Sequence, residues 1–227
     1  MITKIIRMKD NTISNELALK LTSSLDDLNM SYDFFDAICG DQIEQVWTSK
    51  QLKFFFKQNA NKKLPGVKGC FLSHYSLWEE CIIANTPYLI FEHDALMIRP
   101  LPNNILDLDY DVLNLDYASR VEVDYEKHLN TNKGQEIKSW PVAPEKKGFL
   151  SRASKSSIKG LHAYIIKPAG AKKLIKKAKE NGTIPADIHV NSMYINLKYT
   201  TTSYARINPR YWIKGSRGSS NSFTRKK

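Results

Sequence analysis

Glu92 and Asp94 stand one residue apart at the end of the apolar run Tyr88-Leu89-Ile90-Phe91. Their carboxylates are hard oxygen donors of the kind magnesium and manganese prefer. The run before them is bounded by Thr86-Pro87 and by the polar cluster itself, the pattern of a strand buried on both faces. In open α/β sheets ligands bind outside the carboxyl ends of the strands. Two carboxylates placed there can hold a cation that bridges and neutralises the phosphates of a nucleotide. Glu-x-Asp by itself reads equally well as an acidic turn without metal. A second chemical cluster precedes it. From Cys70, positions 74, 77, 78 and 81 share a helix face, which groups His74, Leu77, Trp78 and Cys81 with that thiol. On such an apolar face the simpler reading of His74 is a satisfied core residue.

The elements that must position these groups follow from periodicity. Residues 4–8 read as a first strand, and Ile13, Leu17, Leu21, Leu25 and Leu28 place an amphipathic helix over 13–28. Residues 32–37 alternate into a second strand, completing a β-α-β opening. Pro65-Gly66 punctuates a loop over 59–65. Residues 110–116 read as a strand with acidic ends, and 158–167 as another. Pro168 starts a helix over 168–179 that Asn181-Gly182 stops, with lysines on its solvated face. A further helix is expected from Pro185 to about Leu197, then a β-rich run over 199–206. Residues 120–157 hold few aliphatics and read as a long insertion, with a hairpin around Trp140. Residues 1–214 are expected to form one domain, and 215–227 a mobile basic tail.

With 227 residues, 42% hydrophobic and 25% charged, the chain suits one soluble α/β domain. No apolar run approaches the roughly 20 residues of a membrane span, and the start reads as a strand rather than a signal peptide. Gly-x-Gly-x-x-Gly and Walker loops are absent, which removes the main support for dinucleotide and ATPase readings. Cys39, Cys70 and Cys81 are odd in number and lack Cys-x-x-Cys spacing, so reduced thiols and a cytoplasmic setting are expected and a structural zinc site is not. The net charge of +11 is uneven. Residues 1–145 carry 15 Lys and Arg against 21 Asp and Glu, and residues 146–227 carry 19 against 2. A basic half calls for an anionic partner: nucleotide phosphates, an anionic membrane surface or nucleic acid.

Four stretches, in order, resemble glycosyltransferase family 25, the group of bacterial lipopolysaccharide galactosyltransferases and collagen β-galactosyltransferases. They are Gly69-Cys70-Phe71-Leu72-Ser73-His74 with Leu77-Trp78, then Tyr88 through Ala95, then Gly160 through Ile166 with Gly170-Ala171, and Pro185-Ala186-Asp187. The similarity spans roughly residues 3 to 200. His93 stands where the family commonly shows Asp, which leaves Glu92 and Asp94 as an Asp-x-Asp-like pair; imidazole is also a manganese ligand.

The resemblance implies a GT-A-like architecture, α/β with a mostly parallel central sheet flanked by helices. It implies an inverting transfer of a sugar from UDP-galactose or a similar donor to a hydroxyl of a glycan or lipid-linked glycan, such as lipopolysaccharide. It makes residues 120–157 an acceptor lid. A divalent cation, Mn2+ or Mg2+, would be held by Glu92 and Asp94, with His189 as a late ligand. Asp187 is the first choice of general base and Asp116 the second, Asp187 having plain N-capping as its competing role. Arg7, Asp36 and Lys68 would join Glu92 and Asp94 around the donor. His162 and Tyr164, two residues apart on one strand face, would line the acceptor pocket. The basic half allows peripheral contact with the inner face of a membrane. Two other classes remain at this stage. A basic nucleic-acid-binding protein lacks an aromatic stacking platform. A metal-dependent phosphoesterase would need more carboxylates or histidines for a two-metal site.

Overall fold

In the computed structural model the run before Glu92 is strand β3 (Tyr88–Glu92), and the sequence explains its place. Tyr88 and Ile90 point into one hydrophobic layer, Leu89 and Phe91 into the other. A strand with no polar face has to lie between two layers. Each such side chain contributes about 1.5–3 kcal/mol of burial. The structure describes residues 1–53, 64–116, 139–141, 157, 160–200 and 202–208.

The chain opens with β1 (Ile2–Arg7), α1 (Thr12–Asp26) and β2 (Asp33–Asp36), the last parallel to β1. Helix α1 buries Leu17, Leu21 and Leu25, and the Asn11 side chain caps it by accepting from the Ser14 N–H at 2.9 Å. Helices α2 (Gln42–Ser49) and α3 (Leu64–Ala84) cross back to β3, which pairs with the other side of β1. The connections therefore reverse direction between β1 and β3, the switch point where a crevice opens at the strand ends. Two short strands, β4 (Ala95–Met97) and β5 (Val112–Asn114), follow, and later come β6 (Ser139–Pro141) and β7 (Ala163–Ile166). Helix α4 (Pro168–Asn181), the single turn α5 (Ala186–His189), β8 (Leu197–Thr200) and β9 (Ala205–Ile207) complete the described elements.

Among the described residues the main sheet runs β2-β1-β3-β7-β5-β8-β6, and β4 pairs with β9 apart from it. Strands β7 and β6 run against the others. Five of the seven strands thus share one direction, and the fold is α/β with a mostly parallel sheet flanked by helices. One layer holds α3 and α4 through Phe71, Tyr75, Trp78 and Leu174; the other holds α1 and the β4–β9 ribbon through Leu21, Leu25 and Ala205. Gly69 lets α3 approach the loop after β2, because a Cβ there would lie 2.5 Å from the Ile38 carbonyl oxygen. Ser73 holds the same loop by accepting from the Ile38 N–H at 3.0 Å.

Three expected elements differ. Pro65 and Gly66 lie in the first turn of α3 rather than in a loop, where proline's missing N–H costs nothing. The helix expected over 185–197 stops after one turn, and the Asn191 side chain then takes the Met193 N–H at 2.9 Å, a local bond that competes with helix propagation. The strand expected over 158–167 begins only at Ala163, after Gly160 at φ +81°. The lysines of α4 are largely exposed, as expected for a solvated face. Most of the 120–157 insertion and the whole 215–227 tail lie outside the described residues; β6, which contains Trp140, pairs antiparallel with β8.

Candidate active site

The carboxyl ends of β1, β2, β3 and β5 share one edge of the sheet, and the chemistry-bearing residues collect there. Glu92 sits opposite Ile6 in register, so Arg7 extends just past it. Asp94 follows in the turn before β4, its carbonyl held by the Asn208 N–H at 2.7 Å. Helix α3 approaches from one face. His74 Nε2 lies 3.1 Å from Glu92 Oε1, and the Cys70 thiol donates to the same oxygen at 3.9 Å.

The electrostatics separate the two carboxylates. Burial pushes Glu92 up, but the His74 hydrogen bond, and then the electrostatic influence of His74, His93 and His162, outweigh it and hold the carboxyl below its usual range. Asp94 moves up, first through burial and then through repulsion by Glu92. Its Oδ1 is buried and accepts no hydrogen bond. Two near carboxylates, one with a buried oxygen unpaired, are costly without compensation. A divalent cation would remove that cost, so the residues present fit the hard-metal site that Glu92 and Asp94 imply.

Asp187 lies within electrostatic reach of Glu92 and Cys70. Burial and then the Glu92 charge raise its carboxyl's pKa, against hydrogen bonds from the Ile188 and Asp187 N–H groups. Helix α5 is one turn long, too short to offer Asp187 a macrodipole. What tunes Asp187 is burial and the neighbouring carboxylate.

Other expected site residues are placed differently. Asp116 is fully buried, with Oδ2 2.9 Å from His162 Nε2 and Oδ1 accepting from the Ser203 hydroxyl at 3.0 Å. Both oxygens are thus engaged, the arrangement of a positioning group rather than a free base. Burial lowers His162, but the Asp116 hydrogen bond and charge, aided by Asp94 and Glu92, raise it overall. Tyr164 is wholly buried, its hydroxyl between His74 Nδ1 at 2.9 Å and Trp78 Nε1 at 3.0 Å, and so points into α3 and not toward an acceptor. His189 is not brought to the carboxylates. Its Nε2 donates to the Leu174 carbonyl at 3.0 Å and its ring stacks on Trp78, and burial lowers its pKa to about 4. That is a core aromatic, not a late metal ligand. Lys68 pairs with Glu44 at 2.7 Å and lies over the Trp47 ring, between α2 and α3. Arg7 and Asp36 pair with each other at 3.1 Å on the crevice edge.

The Cys70–His74 contribution was missed at the sequence level, where His74 was read as core. The available signal was the i, i+4 spacing of two polar groups on one helix face. Cys70 Sγ, His74 Nε2 and a Glu92 oxygen lie within 4.8 Å of one another, a donor set that would suit a softer metal. All three cysteines are free.

An edge of this kind in a mostly parallel sheet is where α/β proteins bind their ligands. The chain belongs to glycosyltransferase family 25, described as lipopolysaccharide biosynthesis proteins, whose family model matches residues 7–190. It is 28% identical over 147 residues to the lipooligosaccharide biosynthesis protein lic2B of Haemophilus influenzae, covering 64% of this chain and 53% of that one. It is 25% identical over 179 residues to a putative glycosyltransferase of Haemophilus influenzae (strain ATCC 51907 / DSM 11121 / KW20 / Rd), covering 76% and 56%. The chain spans about half the length of these curated relatives. A crystal structure of a protein from STIV aligns over 91% of this chain and 84% of its own, with 12% identity and a TM-score of 0.43. Among the described residues no helix is long and apolar enough to cross a membrane.

Proposed function

We propose that this chain is a GT-A-type, inverting, metal-dependent glycosyltransferase. It would move a hexose, galactose from UDP-galactose, to a hydroxyl of a lipopolysaccharide or related surface glycan. The observation that carries the reading is the convergence of Glu92, Asp94 and Asp187 at the strand ends of a family 25 chain. Glu92 and Asp94 would hold Mn2+ or Mg2+, which when bound offsets charge on a leaving diphosphate. Asp187 is the general base: its half-buried carboxylate takes the proton of the acceptor hydroxyl as that oxygen attacks the anomeric carbon from the face opposite the diphosphate. Its raised pKa makes it a better proton acceptor than an ordinary Asp. Arg7 and Asp36 stand at the donor edge, and the exposed lysines of α4 suit an anionic membrane surface bearing a lipid-linked acceptor.

Calorimetry of UDP with manganese and then with EDTA tests the donor site. Binding should require the cation; equal affinity in both would sink the metal role. Asp187→Asn should cut kcat by about 10²–10⁴, the usual contribution of a general base, while UDP–manganese binding stays within a few-fold. A variant that keeps more than about a third of wild-type turnover would remove Asp187 from the chemistry.

A further inference from the structure

Behind Glu92 stands a set of buried polar groups. Three hydrogen bonds run in series. Trp78 Nε1 donates to the Tyr164 hydroxyl oxygen at 3.0 Å, that hydroxyl meets His74 Nδ1 at 2.9 Å, and His74 Nε2 meets Glu92 Oε1 at 3.1 Å. Trp78, Tyr164 and His74 are all essentially buried, so water supplies no alternative partners.

The protons of this chain are determined by its two ends. An indole N–H can only donate, and an ionised carboxylate can only accept. Tyr164 therefore uses a lone pair toward Trp78 and keeps its own hydrogen for His74. If His74 Nδ1 carried a proton instead, the tyrosine hydrogen would be left buried without an acceptor. If His74 Nε2 were bare, its lone pair would face a carboxylate oxygen. Only a His74 with Nδ1 bare and Nε2 protonated satisfies every group.

We propose that Trp78, Tyr164 and His74 are positioning residues that lock Glu92 so that it meets the cation through Oε2 alone. Resting on the cation reading above, this names the oxygen each carboxylate presents. Glu92 Oε1 already accepts from His74 Nε2–H and from the Cys70 thiol. Among the described residues, Oε2 is the oxygen without a protein hydrogen-bond partner. On Asp94 the corresponding open atom is Oδ1. A soft-metal site on Cys70, His74 and Glu92 would demand the opposite proton pattern. The thiol would have to ionise, although burial and then the carboxylates Glu92, Asp187 and Asp94 oppose this. The imidazole would also have to change tautomer and strand the Tyr164 hydrogen.

Nitrogen-15 NMR of the imidazoles in the metal-free protein reads the tautomer directly. The expected wild-type result is His74 with a protonated Nε2 and a bare Nδ1, shifting to a tautomer mixture in Tyr164→Phe. Manganese titration supplies the second readout. His74→Leu should weaken binding roughly 10- to 100-fold, the usual loss when an outer partner of a metal ligand is removed. His74→Gln, whose amide N–H replaces Nε2–H, should stay within a few-fold of wild type. A wild-type spectrum with Nδ1 protonated and Nε2 bare would overturn the proposal. So would a cobalt–thiolate charge-transfer band that Cys70→Ser abolishes. If the wild type binds no manganese, the cation reading falls, while the metal-free spectrum still decides the proton pattern. Should His74→Leu fail to fold, that spectrum and the His74→Gln titration carry the test.

Discussion

His74–Glu92 and His162–Asp116 are the same chemical pair in two settings. Both histidines are buried, and the ring-to-carboxylate distances are 3.1 and 2.9 Å. The carboxylates differ. The Glu92 side chain is 28% exposed and Asp116 is fully enclosed. Glu92 commits Oε1 and leaves Oε2 open, whereas Asp116 commits both oxygens. One pair leaves a carboxylate oxygen available to a ligand; the other closes on itself and ties β5 to the segments before β7 and β9. A short ion-pair distance therefore does not identify a functional site. What distinguishes the two is how much acceptor capacity remains after the protein's own donors are counted.

Substitution should separate the pairs most sharply. Asp116→Asn leaves the buried His162 and Ser203 facing an amide that cannot accept from both. Breaking a buried pair in this way costs about 3–5 kcal/mol. Glu92→Gln keeps a carbonyl for His74 and Cys70 and turns its amide toward solvent, so its loss should stay under about 1 kcal/mol. Urea unfolding of the two variants makes the measurement. Equal losses would mean that both pairs are structural.

The third buried histidine sharpens the contrast, because His189 has no carboxylate. Its ring lies against Phe71, Trp78 and Tyr194 and donates to a carbonyl. Burial holds its pKa at about 4 in the fold, against about 6.5 when unfolded. Neutral His189 is the folded form. Its stabilising share is whole above the unfolded value and is lost as pH falls through 6.5 toward 4, on the order of 3 kcal/mol in all. His189→Gln keeps the donor to Leu174 but does not titrate. Stability measured from pH 7 to pH 4 should fall more steeply in the wild type than in this variant. Parallel curves would show that His189 takes up its proton as readily in the fold as in the unfolded chain.

These pairs also mark where the sequence was legible. The four apolar residues before Glu92 forced a strand between two layers, and the leucine period forced α1. Glu92 ends β3, Asp94 follows it, and Asp187 lies within electrostatic reach of Glu92. The reversed direction of β7 was not legible, since Ala163-Tyr164-Ile165-Ile166 is apolar enough for a parallel or an antiparallel neighbour alike. Nor was the link from His74 to Glu92, because no periodicity relates a helix face to a strand end 18 residues away. Strand alternation puts Tyr164 on the face of His162, but alternation does not say which face is covered. Here helix α3 covers it and takes its hydroxyl.

The smallest expected effect belongs to the open pair at the crevice edge. Arg7 and Asp36 meet at 3.1 Å with side chains 27% and 47% exposed. Water and salt screen such a pair, so a double-mutant cycle with Arg7→Gln and Asp36→Asn should return a coupling of about 0.2–1 kcal/mol. Arg7 also lies 3.9 Å over the Phe34 ring, which keeps its guanidinium at the strand end even when Asp36 is neutralised. The fold therefore has little need of the pair, and its value has to appear in ligand binding. UDP affinity should drop several-fold in Arg7→Gln and should fall further with added salt, while the melting curve barely moves. If Arg7→Gln binds UDP as tightly as the wild type, Arg7 and Asp36 are an ordinary surface bridge. The donor site then begins at Glu92.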